Sequence, residues 1–221
     1  MQSESFNKKQ MTTRAKLLYM GLILLGLYAL ILIIAYIKIF AFRSVAVNMD
    51  NMVIFTGLAG AVFGMFITLI VYGYMNSWHI NLPMRKFFAM TAAMLFGYIL
   101  CICVEDFNPY YMPLMFTAFL LISIVDKRDV LMCNIVLNTI VFITVYFEHD
   151  LIDSPYRSLD FVVLLGFGLT MGAILAYYLS GAVTRISFFV RSFILGIINV
   201  ELMYLVSLLW HGFDFASSLL A

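Results

Sequence analysis

The sequence predicts an all-α, polytopic integral membrane bundle of about seven transmembrane helices. Hydrophobic residues make up 64% of the 221 residues and charged residues only 11%, whereas a soluble domain carries about 25% charged residues. The apolar residues are gathered into runs that are separated by short charged loops. A bilayer can bury this much apolar surface and a soluble fold cannot.

The apolar runs approach the roughly 20 residues that a helix needs to cross the hydrocarbon. The fourth run is short, and both a full span and a tilted hairpin partner remain open for it. Residues 1–16 are predicted to form a basic cytoplasmic N-terminus, 17–210 the transmembrane domain and 211–221 a short tail outside. The seven predicted spans are 17–39, 53–75, 87–104, 110–125, 130–147, 161–182 and 189–210.

The charges alternate in sign from loop to loop. Basic residues stay cytoplasmic, so we expect a multi-pass protein of the cell membrane with its N-terminus inside and its C-terminus outside. The N-terminal side of the membrane is predicted to hold Lys8, Lys9, Arg14, Lys16, Arg85, Lys86, Lys127, Arg128, Arg185 and Arg191. The opposite loops hold Lys38, Arg43 and Arg157 with the acids Asp50, Glu105, Asp106, Glu148, Asp150, Asp153, Asp160 and Asp214.

Glu201 is the candidate functional residue within the membrane, because it lies near the middle of the last predicted span. A carboxylate at that depth is costly and often marks function. No Lys or Arg lies at matching depth, so Glu201 is predicted to be protonated or hydrogen-bonded to a neighbouring polar side chain. It either senses protons or ligands, or ties helices together as a neutral residue. Its candidate partners are Asn134, Asn138, Thr139 and Thr68.

Other polar and small residues in the spans are expected to pack helices. Asn199 points away from Glu201 on a helix, and interhelical amide bonds contribute about 0.6–2 kcal/mol. Glycines and other small residues recur at spacings of three and four, which lets backbones approach closely. Packing within the chain is favoured over a dimer face. The two stripes are Gly57, Gly60 and Gly64 in the second span, and Gly168, Gly172, Ala176 and Ser180 in the sixth.

The sequence contains no pattern typical of an enzyme site. Its three histidines are far apart, and it lacks metalloprotease, nucleophile-elbow and phosphate-loop motifs. We therefore expect a chain without catalytic activity, metal or cofactor. A net charge of +1 gives no reason to expect nucleic acid as a partner.

The second half of the chain carries a recognisable pattern. It consists of Tyr110-Tyr111-Met112-Pro113, Ala118, Leu121, Asp126 and Arg128, and of the later spacing of Arg185, Gly196 and Asn199. In this pattern the chain resembles the bacterial seven-transmembrane receptors with an intracellular HD hydrolase, whose characterised members degrade cyclic di-AMP. The resemblance covers roughly residues 65–212, and Ser192 stands where the family usually has Gly.

The chain departs from the family in two respects. Family members carry a large extracellular domain after the first helix, where this chain has only residues 40–52. They also carry a further helix and the HD domain, whose metal ligands this sequence lacks, so no phosphodiesterase activity transfers. The resemblance implies a sensor or anchoring module of the bacterial inner membrane, and we expect a truncated form of it.

Three functions remain open. The first is a signalling module that passes a signal to a cytoplasmic output domain. The second is a small-solute permease or substrate-binding membrane subunit, with Glu201 and the Asn and Thr residues at a midplane site. The third is a structural membrane subunit that assembles with other subunits. In all three the lipid bilayer is the surrounding partner.

Overall fold

A computed structural model describes residues 2–107, 112–151 and 158–180, together with 186–187, 190–191, 193–195 and 197–198. Side chains are described from Thr13, except at residues 150–151, 158–164 and 180. Every regular element within these ranges is helical. The helices are α1 (Gln2–Tyr36), α2 (Met49–Met75), α3 (Trp78–Asn81), α4 (Met84–Glu105), α5 (Phe116–Leu121), α6 (Lys127–Leu151) and α7 (Ser158–Ser180), with a π-helix (Ile37–Phe42) continuing α1.

Within the described ranges, four helices are long and apolar enough to cross a membrane, and a shorter apolar helix covers Leu165–Leu179. The prediction of an all-α bundle typical of a multi-pass membrane protein is therefore confirmed. The four candidate spans are Thr13–Phe42, Met49–Met75, Met84–Glu105 and Lys127–His149.

The fourth predicted span, 110–125, differs from a continuous helix. Of its described part, only Phe116–Leu121 is α-helical. Pro113 precedes this helix, and its carbonyl accepts a hydrogen bond from Phe116 N at 2.9 Å. Because proline has no N–H, it is tolerated at the start of a helix and disfavoured in a helix interior. Turns cover residues 122–124, and α6 begins shortly after them at Lys127. The chain thus returns across the bundle as a short, broken segment.

This short segment packs closely on its neighbours. Thr117 of α5 lies against Gly97 of α4, where a Cβ would collide with the Thr117 hydroxyl. Tyr98, fully buried on α4, donates its hydroxyl to Thr144 Oγ1 of α6 at 3.3 Å. The absence of a side chain at Gly97 therefore allows α5 to enter between its neighbours.

The helices give the bundle two chemically different ends. One end, which we call the basic end, holds the start of α1, the end of α2, α3 and the starts of α4 and α6. There Asp129 accepts from Trp78 Nε1 at 3.0 Å and from the Tyr72 hydroxyl at 3.2 Å. The other end, which we call the acidic end, holds the π-helix and the ends of α4 and α6.

The outer surface of the long helices is apolar. Leu18, Leu22 and Leu25 of α1 are more than half exposed, as are Val53 and Phe88 elsewhere in the bundle. Patches of this kind on a soluble monomer would be unusually large. They are the surface that a bundle presents to hydrocarbon.

Candidate functional site

Six charged or titratable side chains converge at the acidic end. They come from three separate parts of the chain, and we call them the charge cluster. The sequence placed them in separate external loops, but the structure brings them together, mostly buried. The charge cluster consists of Lys38 on the π-helix, Arg43 just after it, Glu105 and Asp106 at the end of α4, and Glu148 and His149 near the end of α6.

Lys38 lies at the centre of the charge cluster and is 5% exposed. Its ammonium forms an ion pair with Glu105 and lies 3.2 Å from Asp106 Oδ1 and 3.0 Å from Glu148 Oε2. It also donates to the Ile102 carbonyl at 3.2 Å. One ammonium therefore joins the end of α1 to both α4 and α6.

Arg43 closes the charge cluster on its outer side. Its Nε donates to Glu148 Oε1 at 2.6 Å and its Nη2 donates to Asp106 Oδ1 at 2.8 Å. Partial burial acts to lower the pKa of Arg43, but the hydrogen bond and charge of Glu148, with Asp106 and Glu105, raise it above its ordinary value. Arg43 therefore remains a cation in the charge cluster.

His149 contributes an imidazole to the charge cluster beside Glu105. Its Nε2 lies 2.6 Å from Glu105 Oε1. The two cations, Lys38 and Arg43, face three carboxylates, so the charge cluster is net negative by one charge when His149 is neutral. Protonation of His149 would balance it. Histidine is the side chain that most readily changes charge between about pH 5 and 8.

The three carboxylates also lie close enough together to hold a metal ion. Oxygens of Glu105, Asp106 and Glu148 all lie within 4.8 Å of one another. The Lys38 ammonium contacts all three of these carboxylates, so a cation of the protein itself already stands where a metal would bind. We therefore assign the charge cluster to ion pairing rather than to metal binding.

The π-helix is the local feature that places Lys38 and Arg43. The Arg43 amide donates to the Lys38 carbonyl at 3.0 Å, the spacing of a π-helical turn, and such turns occur frequently at functional sites. After it, Asn48 caps α2 by accepting from Asn51 N at 2.8 Å. The chain thus turns back with both cations directed towards α4 and α6.

The predicted polar candidates Asn134 and Asn138 lie elsewhere, in the interior of the bundle on α6. Both are about 1% exposed. The Asn134 amide nitrogen donates to the Gly168 carbonyl at 3.4 Å. Among the described residues, neither amide atom of Asn138 has a hydrogen-bond partner, nor does Asn134 Oδ1. Asn138 also borders a small void of about 10 Å³, about the minimum for one water molecule.

The two glycine stripes have different surroundings. A Cβ at Gly172 would collide with the Asn134 amide, and one at Gly168 would lie 2.8 Å from Leu114. Here the small residues let α7 approach α6 and residue 114 closely. A Cβ at Gly60 or Gly64 would meet no described atom within 4 Å, so a packing role for these two glycines stays a prediction.

The described residues that carry the family resemblance lie apart from the charge cluster. Asp126 and Arg128 are exposed at the start of α6, at the basic end, and Pro113 precedes α5. The remaining predicted site residues lie outside the described part of the chain, and they are Tyr110, Arg185, Gly196, Asn199 and Glu201.

The chain matches no known protein family, no curated protein and no solved structure.

Sequence reasoning missed the charge cluster as a site. The signal that could have found it is the position of Lys38, Glu105 and Glu148 at the same ends of three apolar runs. Charges at span ends usually belong to solvated loops, and charged side chains are almost never fully buried unless they are paired.

Proposed function

We propose that this chain is a multi-pass membrane sensory or signalling module without a catalytic centre, and that the charge cluster reads its input. The input is the proton activity at the acidic end. The output is a change in how the ends of α1, α4 and α6 pack. This is the function expected from the resemblance to the membrane part of the HD-hydrolase receptors.

The charge imbalance of the buried charge cluster is the observation that carries the proposal. Glu105 and Glu148 are 2% and 0% exposed, and an excess carboxylate charge at such burial is costly. A proton that balances this charge would favour the packed arrangement of α1, α4 and α6 described above, and its loss would favour separation of these helix ends. Conformational switches of this kind need one local charge change and one element with two arrangements.

The proposed topology has seven transmembrane helices with the basic end in the cytoplasm. The exposed basic residues Arg14, Arg85, Lys86 and Arg128 lie at that end, as the positive-inside rule expects. The charge cluster would then face outside, and its signal would reach a cytoplasmic output domain or another membrane subunit across the length of α1, α4 and α6.

A permease or substrate-binding membrane subunit is the second candidate. It is supported by the buried amides of Asn134 and Asn138 beside Gly168 and Gly172, because transporters place polar groups near the midplane. A structural membrane subunit is the third, and it requires the charge cluster only as a static tie between helices.

Hydrogen–deuterium exchange of the reconstituted chain at about pH 8 and about pH 5.5 tests the sensory proposal. After correction for intrinsic exchange rates, we expect the protection of residues 37–48 to differ between the two conditions. His149→Gln, which cannot take up a proton, should abolish the difference, whereas His79→Gln at the basic end should retain it. Equal protection of the wild-type chain at both pH values would instead favour the structural subunit.

A further inference from the structure

An apolar groove of about 290 Å³ opens between α1 and α2 at the basic end. Leu17 and Gly21 line it from α1, Ile70 and Gly73 from α2, and Trp78 and Phe87 from below. Its size is at the lower end of the range for ligand sites in proteins.

The groove follows from how α1 and α2 contact each other. They pack through Tyr28, whose hydroxyl donates to the Ala59 carbonyl at 3.2 Å and whose ring lies 5.6 Å from that of Phe63. Towards the basic end the small residues leave space between them. A Cβ at Gly21 would meet no described atom within 4 Å. The Trp78 ring covers Gly73, and its Cε3 lies 2.5 Å from the position that a Cβ of residue 73 would take.

The walls of the groove indicate a hydrocarbon ligand. They are apolar except at His79 and the Tyr74 hydroxyl, and the His79 ring stacks on that of Tyr74. Buried polar ligands need several partners for their hydrogen-bonding groups, and these walls offer few. His79 Nδ1 is buried and has no hydrogen-bond partner among the described residues, which leaves one polar contact for the end of a ligand.

Basic residues stand next to two groove-lining residues in the chain, at the basic end. Lys16 immediately precedes the lining residue Leu17, and Arg85 and Lys86 immediately precede Phe87. Arg85 and Lys86 are exposed, and neither forms an ion pair with a residue that the structure describes. Basic pockets between membrane helices bind anionic lipid headgroups.

We propose that the groove binds one acyl chain of an anionic phospholipid, whose headgroup lies at Lys16, Arg85 and Lys86. The apolar walls account for the chain and the flanking cations account for the headgroup. This inference does not depend on the sensory function, because it concerns the opposite end of the bundle.

Trp78 provides a direct probe, because the chain has only two tryptophans. In a Trp210→Phe background, Trp78 is the only tryptophan, and excitation at long wavelength selects it over the tyrosines. We would reconstitute this chain into phosphatidylcholine vesicles that contain a small fraction of phosphatidylglycerol, with bromine on the acyl chains of one lipid or of the other. Brominated phosphatidylglycerol should quench Trp78 more strongly than an equal fraction of brominated phosphatidylcholine.

Two pairs of variants sharpen the test. Gly21→Leu places a side chain in the open groove and should remove the preferential quenching, whereas Gly26→Leu, exposed on the same helix and outside the groove, should retain it. Arg85→Gln with Lys86→Gln should lower the preference for phosphatidylglycerol by about fivefold or more. Lys127→Gln with Arg128→Gln removes the same charge from the start of α6, which does not line the groove, and should leave the preference unchanged.

Equal quenching by the two lipids would overturn the proposal, since it would mean ordinary boundary lipid at this surface. Absence of quenching by either lipid would also overturn it, because a protein segment would then fill the groove. A preference that survives Gly21→Leu would place the lipid elsewhere and would contradict the assignment to this groove.

Discussion

The Lys38 ammonium lies 3.0 Å from Glu148 Oε2 and joins the π-helical end of α1 to α6. This contact lies outside hydrogen-bond geometry, so it acts as an ion contact, while Glu148 Oε1 accepts from Arg43. Both side chains are buried. The pair therefore depends on the charge of each partner, and removing one charge leaves the other buried without compensation.

Replacement of Lys38 by Met should strongly destabilise the bundle. It leaves Glu105 and Glu148 buried with only Arg43 as a permanent counter-charge, and breaking such a pair costs about 3–5 kcal/mol. The free energy of unfolding in mixed detergent micelles measures this cost. Arg14→Met, which removes an exposed cation at the basic end, is the control and should change stability by less than about 0.5 kcal/mol. Equal effects of both variants would contradict the central place of Lys38.

Removal of both charges should be milder than the sum of the single changes. In a double-mutant cycle of Lys38→Met and Glu148→Gln, we expect a coupling energy of about 0.5–3 kcal/mol, because the second change removes the charge that the first left uncompensated. The same unfolding measurement provides all four corners of the cycle. Additive effects would show that Lys38 and Glu148 do not stabilise each other.

Gly97→Ala should destabilise the packing of α5 on α4. The added methyl group would collide with the Thr117 hydroxyl and lie 3.2 Å from Leu137 Cδ2, and overpacking of a buried contact costs about 1–3 kcal/mol. Gly26→Ala is the matched control, since its Cβ would meet no described atom within 4 Å. Thermal unfolding followed by circular dichroism compares the two, and a neutral Gly97→Ala would contradict the close approach of α5.

Asn138 and Glu201 should be coupled if Glu201 faces the bundle interior, as the sequence predicts. The Asn138 amide is buried without a partner among the described residues, so it can still accept or donate a hydrogen bond. A double-mutant cycle of Asn138→Leu and Glu201→Leu should give about 0.6–2 kcal/mol of coupling. The same cycle with Thr139, which is half-buried and bonds the Ile135 carbonyl of its own helix, is the control and should give none. Zero coupling for Asn138 would rule out this pairing.

The sequence was sufficient for the helical class, because apolar runs and alternating loop charges are properties of local segments. It was not sufficient for the broken segment around α5, where Pro113 and the contact of Thr117 with Gly97 decide the conformation. A prediction from run length alone treats residues 110–125 as one span. Whether residues 110–125 form a continuous helix depends on contacts with other helices, and these cannot be read from the segment alone.

The charge cluster was harder to predict, for a physical reason. Lys38 and Glu105 are 67 residues apart, and hydropathy assigns charges at span ends to solvated loops. The π-helix that directs Lys38 and Arg43 inwards has no recognised sequence signature in Ile37–Phe42. Asn134 and Asn138, in contrast, stand out in the sequence as amides within an apolar run, and the structure buries both side chains.

The distance between the ends of α1 and α6 tests the central claim most directly. Spin labels at Ala41→Cys and Tyr146→Cys, both exposed at the acidic end, would be attached after Cys101, Cys103 and Cys133 are replaced by Ala. Pulsed electron spin resonance in lipid nanodiscs then gives the distance distribution at about pH 8 and about pH 5.5. We expect two populations whose ratio depends on pH, and loss of that dependence in His149→Gln. A single distribution that is identical at both pH values would contradict a switch at the charge cluster and leave it as a static tie.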